Sequence, residues 1–491
     1  VLTILRAQTA AGFWIGVSLV VFLLPSANPS VDAASYGWSA LMATDCLQPH
    51  HILHGLLGCK VWGPLLQKTG LLSSTGGVLA VEQVLAASNG VGFLFLLFFT
   101  NKVLGGQFAR VHPLLWVVAG SWGLLRFSVE YEAYIWPLVF TVAGLYAQSR
   151  SRFWGAGICW AFALLFHQMA VLWVVAGLAS ALSTASKPAL AKMIAPLLAV
   201  PVCYAVVFYL IQSAATLPHF THFLLGEFGN GGVKTAYNLG HIGIWAISAL
   251  RSMVQIHGYF VPAIIEVPKS FGLFLLMGVG AGALVFMLMG KNRASTSLRA
   301  AAAAGVVQIA GRCAFFGVLL LGLWAQGNAE FMGSLPLAAV LGWQGWLQKK
   351  ETLMRWAAAG FFGWNLATGL LLMHFLQLSA YPAEAAFTSM AGHPLATYHK
   401  LEVVTWAGPQ KRRPIIHAQF ITSHGGNFYY KGDSLLADTL LYLEQMHKAP
   451  LSRASLLEAQ SGTPPGLVGR VVVTWPHIGG PTRLVELRPF K

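Results

Sequence analysis

The run FWGAGICWAFALLFHQMAVLWVVAGLASAL, residues 153–182, decides how this chain is threaded. It is apolar throughout apart from His167 and Gln168, and it could be one long tilted helix. Its flanks argue otherwise. Arg150 and Arg152 precede it, and Lys187 and Lys192 follow. Basic residues next to apolar spans mark the cytoplasmic side of a bilayer. Two basic flanks therefore predict an even number of crossings, with the turn at FHQ, residues 166–168. The same logic places a turn at RFSVEYE, residues 126–132.

Working outward, further basic clusters occur at Arg6; at Lys102 and Arg110; at Lys291, Arg293 and Arg299; and at Lys349, Lys350 and Arg355. Apolar segments long enough for a bilayer can be strung between them. They are 9–25, 78–100, 111–126, 134–148, 153–166, 168–184, 193–212, 271–290, 301–323, 332–347 and 356–378. The expected fold class is therefore an all-α polytopic membrane protein of about eleven spans over residues 1–378. Its N-terminus is inside. The composition agrees: 491 residues are 56% hydrophobic and only 10% charged, with 30 Phe and 17 Trp and a mean hydropathy of +0.63. The formal net charge of +15 is scattered over loops, which speaks against a nucleic-acid partner. The N-terminal segment also reads as a signal peptide with cleavage near residue 34. An uncleaved first span gives the more consistent topology.

Segment 50–68 is apolar enough to cross, but it contains Lys60 and ends at Lys68. Inserting it would invert every later loop. It reads better as an amphipathic helix lying in the outer interface. Segment 240–266, interrupted by Arg251, His257 and Glu266, reads the same way. Before residue 380 there are nine acidic residues. In this topology Asp32, Asp45, Glu130, Glu132, Glu227, Glu266 and Glu330 all fall in outer loops. Their cost inside a span explains their exclusion from helices. An outward-facing chemical site would explain their preference for one side.

The tail, 379–491, has more charge and shows alternation in LEVVTWAG, PIIHAQFI and RVVVTW, which predicts strands. GDSLLADTLLYLEQMH, residues 432–447, predicts a helix capped by Asp433 or Ser434. A small extracytoplasmic α/β domain is expected there. Of the five cysteines, Cys46 and Cys59 could pair if their loop faces an oxidising compartment. Their spacing alone does not decide it.

Five stretches carry a resemblance. Asp32 sits seven residues beyond the first span, in PSVDAASYGW. PHHILHGLLG (49–58), VEYEAYIWPL (129–138), LFHQMAVLW (165–173) and GNAEFMGSLP (327–336) follow in order. Together they resemble landmarks of GT-C type glycosyltransferases, polytopic enzymes that use lipid-phosphate-linked sugars, and of a bacterial group with that character. The resemblance covers about residues 1–380. It implies a bacterial inner-membrane enzyme that takes a polyprenyl-phosphate-linked sugar and transfers it at the outer face. It also implies Asp32 as the catalytic base, with Asp45 in reserve; either acid could instead cap an interfacial helix.

The residues themselves leave several roles open. His50 and His54 are four apart and share a helix face with part of His51. They could bind phosphate as imidazolium or by N–H donation, or hold a divalent metal with Asp45 or Glu132. They could also simply line the headgroup region. Arg126 lies one turn before Glu130, so an ion pair is expected. Glu130 or Glu132 could then contact substrate or metal. His167, at the turn between two spans, is a functional candidate by its depth. Glu330 could meet the donor headgroup, and Arg251, Lys234 or Lys269 the lipid phosphate. Two other readings are a transporter or lipid flippase, and a non-catalytic assembly subunit. The first needs a polar midplane path, often with repeat symmetry, and neither feature is visible in the sequence.

Overall fold

A computed structural model describes residues 2–26, most of 33–69, 77–211, parts of 216–224, 239–256, 268–289, 298–325, 330–372, and five strands between 397 and 489. The first of these regions, up to residue 372, is helical.

The deciding run folds as two helices. Phe153–Phe166 and Val171–Leu182 are separated by His167, whose backbone is extended (φ −161°, ψ 127°), and by a short 3-10 turn, Gln168–Ala170. The second expected turn is also present. Trp122–Ser128 ends before the two glutamates, and Ile135–Ser149 begins after them.

Eleven full-length spans are not what the described residues hold. Four helices are long and apolar enough to cross a bilayer: Gln83–Val103, Lys187–Ile211, Pro268–Leu288 and Gly305–Trp324. Four more apolar helices are shorter: Ala10–Leu23, Ile52–Leu66, Phe153–Phe166 and Gln168–Leu182. The expected span 111–126 breaks at Ser121 into two helices of seven residues, Leu114–Gly120 and Trp122–Ser128, and every residue of the first is buried. Ile135–Ser149 and Leu335–Lys349 have 15 residues each, about 22 Å of helix, against a hydrocarbon core of about 30 Å. These segments are apolar because other helices surround them. Hydropathy reports the same signal for a helix facing lipid and for one enclosed by protein.

The long helices do show an apolar exterior. On Pro268–Leu288, Leu273, Leu276, Val279, Leu284 and Met287 are exposed. Patches of this extent are foreign to a water-facing surface and natural to a membrane protein.

Close helix crossings rest on small residues, as membrane bundles favour. Gly278 and Gly282 of Pro268–Leu288 lie against Ala359 and Gly363 of Glu351–Trp364. A Cβ on Gly278 would strike the Gly363 carbonyl, and one on Gly363 would strike the Gly278 carbonyl. Gly311 and Gly342 make a second such approach. Two fully buried asparagines serve the breaks. Asn365 Nδ2 donates to the carbonyls of Gly120 (2.7 Å) and Met253 (2.8 Å), and its Oδ1 accepts the Gln255 backbone N–H (2.7 Å). Asn89 Nδ2 donates to the carbonyls of Glu130 (2.7 Å) and Glu132 (2.6 Å), fixing the loop between the two short helices. Breaks free backbone groups, and burying such groups without partners is costly.

In the tail, strands Thr397–Ala407 and Arg412–Ile421 pair antiparallel, with Val403 opposite Ile416. Phe428–Tyr430, Thr482–Pro489 and Leu467–Trp475 form a three-stranded antiparallel sheet with Thr482–Pro489 in the middle. The helix expected over 432–447 lies outside the described residues, and the expected α/β domain is not shown.

Candidate functional site

The first loop folds back onto the break at His167. Residues 52–68 form one continuous helix with a π turn at Gly58–Trp62. Cys46 pairs with Cys59 in a disulfide, with the two Cα atoms 5.7 Å apart. This fastens the incoming strand of the loop to the middle of the helix. Gly55 permits the fit, because a Cβ there would sit 2.5 Å from the Cys46 carbonyl oxygen. The helix's N-terminal end is then joined to the break. The Gln168 N–H donates to the His50 carbonyl (3.2 Å), and the Gln168 Oε1 lies 3.0 Å from His50 Nδ1.

This brings together four histidines that the sequence singled out separately. His51 and His167 have ring centroids 4.5 Å apart, and His50 and His51 5.8 Å apart. Tyr36 packs edge-on against His54 (4.8 Å) and His51 (5.4 Å). Tyr131 lies 4.4 Å from His54, and Tyr134 stacks on His167 at 4.9 Å. Burial sets the charge of the cluster. It lowers His54 to about 3. His167 is also lowered to about 3, first by burial and then by His50 and His54. His51 is pushed well below the ordinary value by burial, then by His167, His54 and His50. A charged imidazole in an apolar enclosure loses its hydration, so the neutral form is favoured. At neutral pH this favours the uncharged ring for all three, and with it the N–H donation reading over the imidazolium one.

Three ring nitrogens, His51 Nδ1, His54 Nε2 and His167 Nε2, are buried without a hydrogen-bond partner among the described residues. No group of three or more His, Cys, Asp or Glu is arranged to hold a metal ion among the described residues. The metal set built from His50, His54 and Glu132 is therefore not assembled there. Asp32 and Asp45 lie outside the described residues.

His167 also faces a second environment. It lines a small, partly open pocket, together with Phe127, Tyr134, Trp173, Glu330 and Ser334 among others. Beside it lies a charged group. Arg126 Nε pairs with Glu130 Oε1 at 3.2 Å, the expected i,i+4 ion pair. The charges of Glu330 and Glu132 also act on Arg126. Arg251 is lowered from its ordinary value, first by burial and then by Arg126, while Glu330 opposes the shift. Arg126, Glu130, Glu132, Glu330 and Arg251 thus form one charged neighbourhood, drawn from three separate expected loops. Glu130 and Glu132 are buried, but neither lines the cavity.

Tyr36, Trp173, Ser334 and Asn89 were missed as candidates. The first three lie inside stretches already quoted for the resemblance, so the signal was at hand. Asn89 sits in an apolar helix, where it reads only as a polar interruption.

Comparison of the chain with family models, curated proteins and solved structures finds no match.

Proposed function

We propose that this protein is a membrane glycosyltransferase of GT-C type. It moves a sugar from a polyprenyl-phosphate donor to an acceptor at the outer face of a bacterial inner membrane, with its N-terminus inside and its tail outside. One observation carries the reading: His167 belongs both to the histidine cluster under the first loop and to the wall of the cavity that holds Glu330. A single residue so joins the loop expected to carry the base to a pocket lined by aromatic and polar side chains. The Cys46–Cys59 pair supports an outward first loop, because disulfides persist in oxidising compartments.

In this reading Asp32 takes the proton from the acceptor hydroxyl. The acceptor oxygen bonds to the anomeric carbon as the bond from that carbon to the phosphate oxygen breaks. The electron pair leaves with the polyprenyl phosphate. Arg251 and Arg126, coupled to Glu330 of the pocket wall, are the cations assigned to temper that growing charge. The neutral histidines donate or accept hydrogen bonds rather than supply charge. The tail shapes access for the acceptor.

The test uses the purified full chain in proteoliposomes, with labelled short-chain polyprenyl-phosphate hexoses and a fatty alcohol as acceptor. The wild type transfers label. Asp32→Asn loses transfer by about 100-fold or more, the scale of a lost general base, while its thermal unfolding stays unchanged. Undiminished transfer by Asp32→Asn removes the base from the mechanism. Absence of transfer by the wild type from every donor tested removes the reading.

A further inference from the structure

Four cations at the opposite end of Phe153–Phe166 from His167 have no part in the transferase reading. Arg150 and Arg152 belong to the turn between Ile135–Ser149 and Phe153–Phe166. Lys187 and Lys192 lie in the first half of Lys187–Leu197. A Cβ on Gly157 would strike the Met193 carbonyl, so the two later helices cross just beyond these cations. Further along, the Tyr204 hydroxyl donates to the Leu164 carbonyl at 3.3 Å. The chain after Lys187 thus runs in the same direction as Phe153–Phe166, and the four cations gather at one end of the pair. All four are exposed, and no acid occurs anywhere in residues 133–226.

Helix stability does not ask for cations here. The N-terminal end of a helix favours acids. Yet Arg152 immediately precedes Phe153–Phe166 and Lys187 opens Lys187–Leu197, with no acid in either first turn. Orientation in the bilayer asks for basic residues somewhere in this flank, not at these two positions. An anionic partner accounts for the placement.

The surface leading away from the cations says what kind of partner. Trp154, Ile158 and Phe162 are exposed and four residues apart, so they form one apolar row. Leu198, Val202 and Val206 form a second exposed row beyond Lys192. An indole beside cations belongs at the level of lipid headgroups. A negative headgroup joined to hydrocarbon chains matches both the cations and the rows. An acidic protein segment matches the cations alone.

We infer that this end of the helix pair is a docking site for an acidic phospholipid. Arg150, Arg152, Lys187 and Lys192 hold the headgroup, and the row from Trp154 to Phe162 receives an acyl chain.

The test measures binding of dihexanoyl phosphatidylglycerol and dihexanoyl phosphatidylcholine to the full chain in uncharged detergent. The two probes share their chains and differ in headgroup charge. Phosphatidylglycerol is expected to bind about fivefold tighter or more, the scale of one cation beside an anionic headgroup, with the ratio shrinking as salt is added. Replacing all four cations (Arg150→Gln, Arg152→Gln, Lys187→Gln, Lys192→Gln) is expected to erase the ratio. If that variant does not fold, Lys187→Gln with Lys192→Gln is expected to reduce it about twofold or more. Lys60→Gln with Lys68→Gln, which removes exposed cations from the first-loop helix, is expected to leave it unchanged. Equal binding of the two probes overturns the inference, as does a ratio that survives loss of the four cations or falls equally with Lys60 and Lys68. Displacement of the lipid by inorganic phosphate at equal concentration assigns the site to free anions and overturns it. Tighter binding of poly-glutamate at equal charge concentration assigns the site to a protein partner and overturns it too. None of these outcomes bears on sugar transfer.

Discussion

At the residue scale, the histidines of the first loop couple the site to pH in a definite direction. His54 and His167 fall from 6.5 to about 3 on folding, and His51 moves the same way. Between about 3 and 6.5 the unfolded chain binds protons that the folded chain does not. Stability from these groups is therefore fully present above about 6.5 and is lost as pH falls through that window. Each group adds a slope of at most about 1.4 kcal/mol per pH unit. Thermal unfolding in nanodiscs at pH 7.5 and pH 5 should show a lower midpoint at pH 5. His54→Gln should flatten that difference, and a midpoint unchanged by acidification would show that the rings are not enclosed as described. The candidate histidines were legible because titratable side chains stand out in so apolar a chain. Asn365 and Asn89 were not. Their partners are backbone groups distant in sequence, Gly120 lying 245 positions from Asn365, and nothing local announces that a carbonyl far away has lost its helix.

Among the elements, the break at His167 was legible because two basic flanks constrain the number of crossings. The break at Ser121 had no such constraint and was read through as one span. What holds such broken pieces together is close backbone contact, which makes a sharp prediction. Gly278→Leu would drive a side chain into the Gly363 carbonyl. Overpacking of this kind costs about 1–3 kcal/mol, and more where the obstacle is backbone. Gly280→Leu, on the same helix with nothing within 4 Å of its Cβ position, should be near neutral. Comparison of the two by thermal unfolding in nanodiscs isolates the crossing from helix propensity. Equal losses would place the contact elsewhere.

For the molecule as a whole, part of the gap between eleven expected spans and the four long apolar helices among the described residues has an identifiable cause. A segment enclosed by other helices and a segment facing lipid share a composition, so counting apolar runs overcounts crossings. Orientation is a separate question, open to a direct measurement. Thr69 and Ser183 are both exposed, one after the histidine helix and one in the Arg152–Lys187 flank of the opposite side. In a background lacking Cys159, Cys203 and Cys313, Thr69→Cys should react with an impermeant maleimide on intact spheroplasts. Ser183→Cys should react only after permeabilisation. The reverse pattern would turn the protein over and place the first loop inside.

The bond between Cys46 and Cys59 has a consequence for how the molecule matures. With the first loop outward, as proposed, its two sulfurs join only after that loop has crossed the bilayer and met an oxidant, whereas the helices can insert without it. The chain can thus reach the membrane with its bundle in place and its histidine helix still unfastened. Completion of the site becomes a late, enzyme-assisted step, separable in time from insertion. Cells deprived of their disulfide-forming machinery would accumulate inserted protein whose first loop has not yet been fastened to its helix.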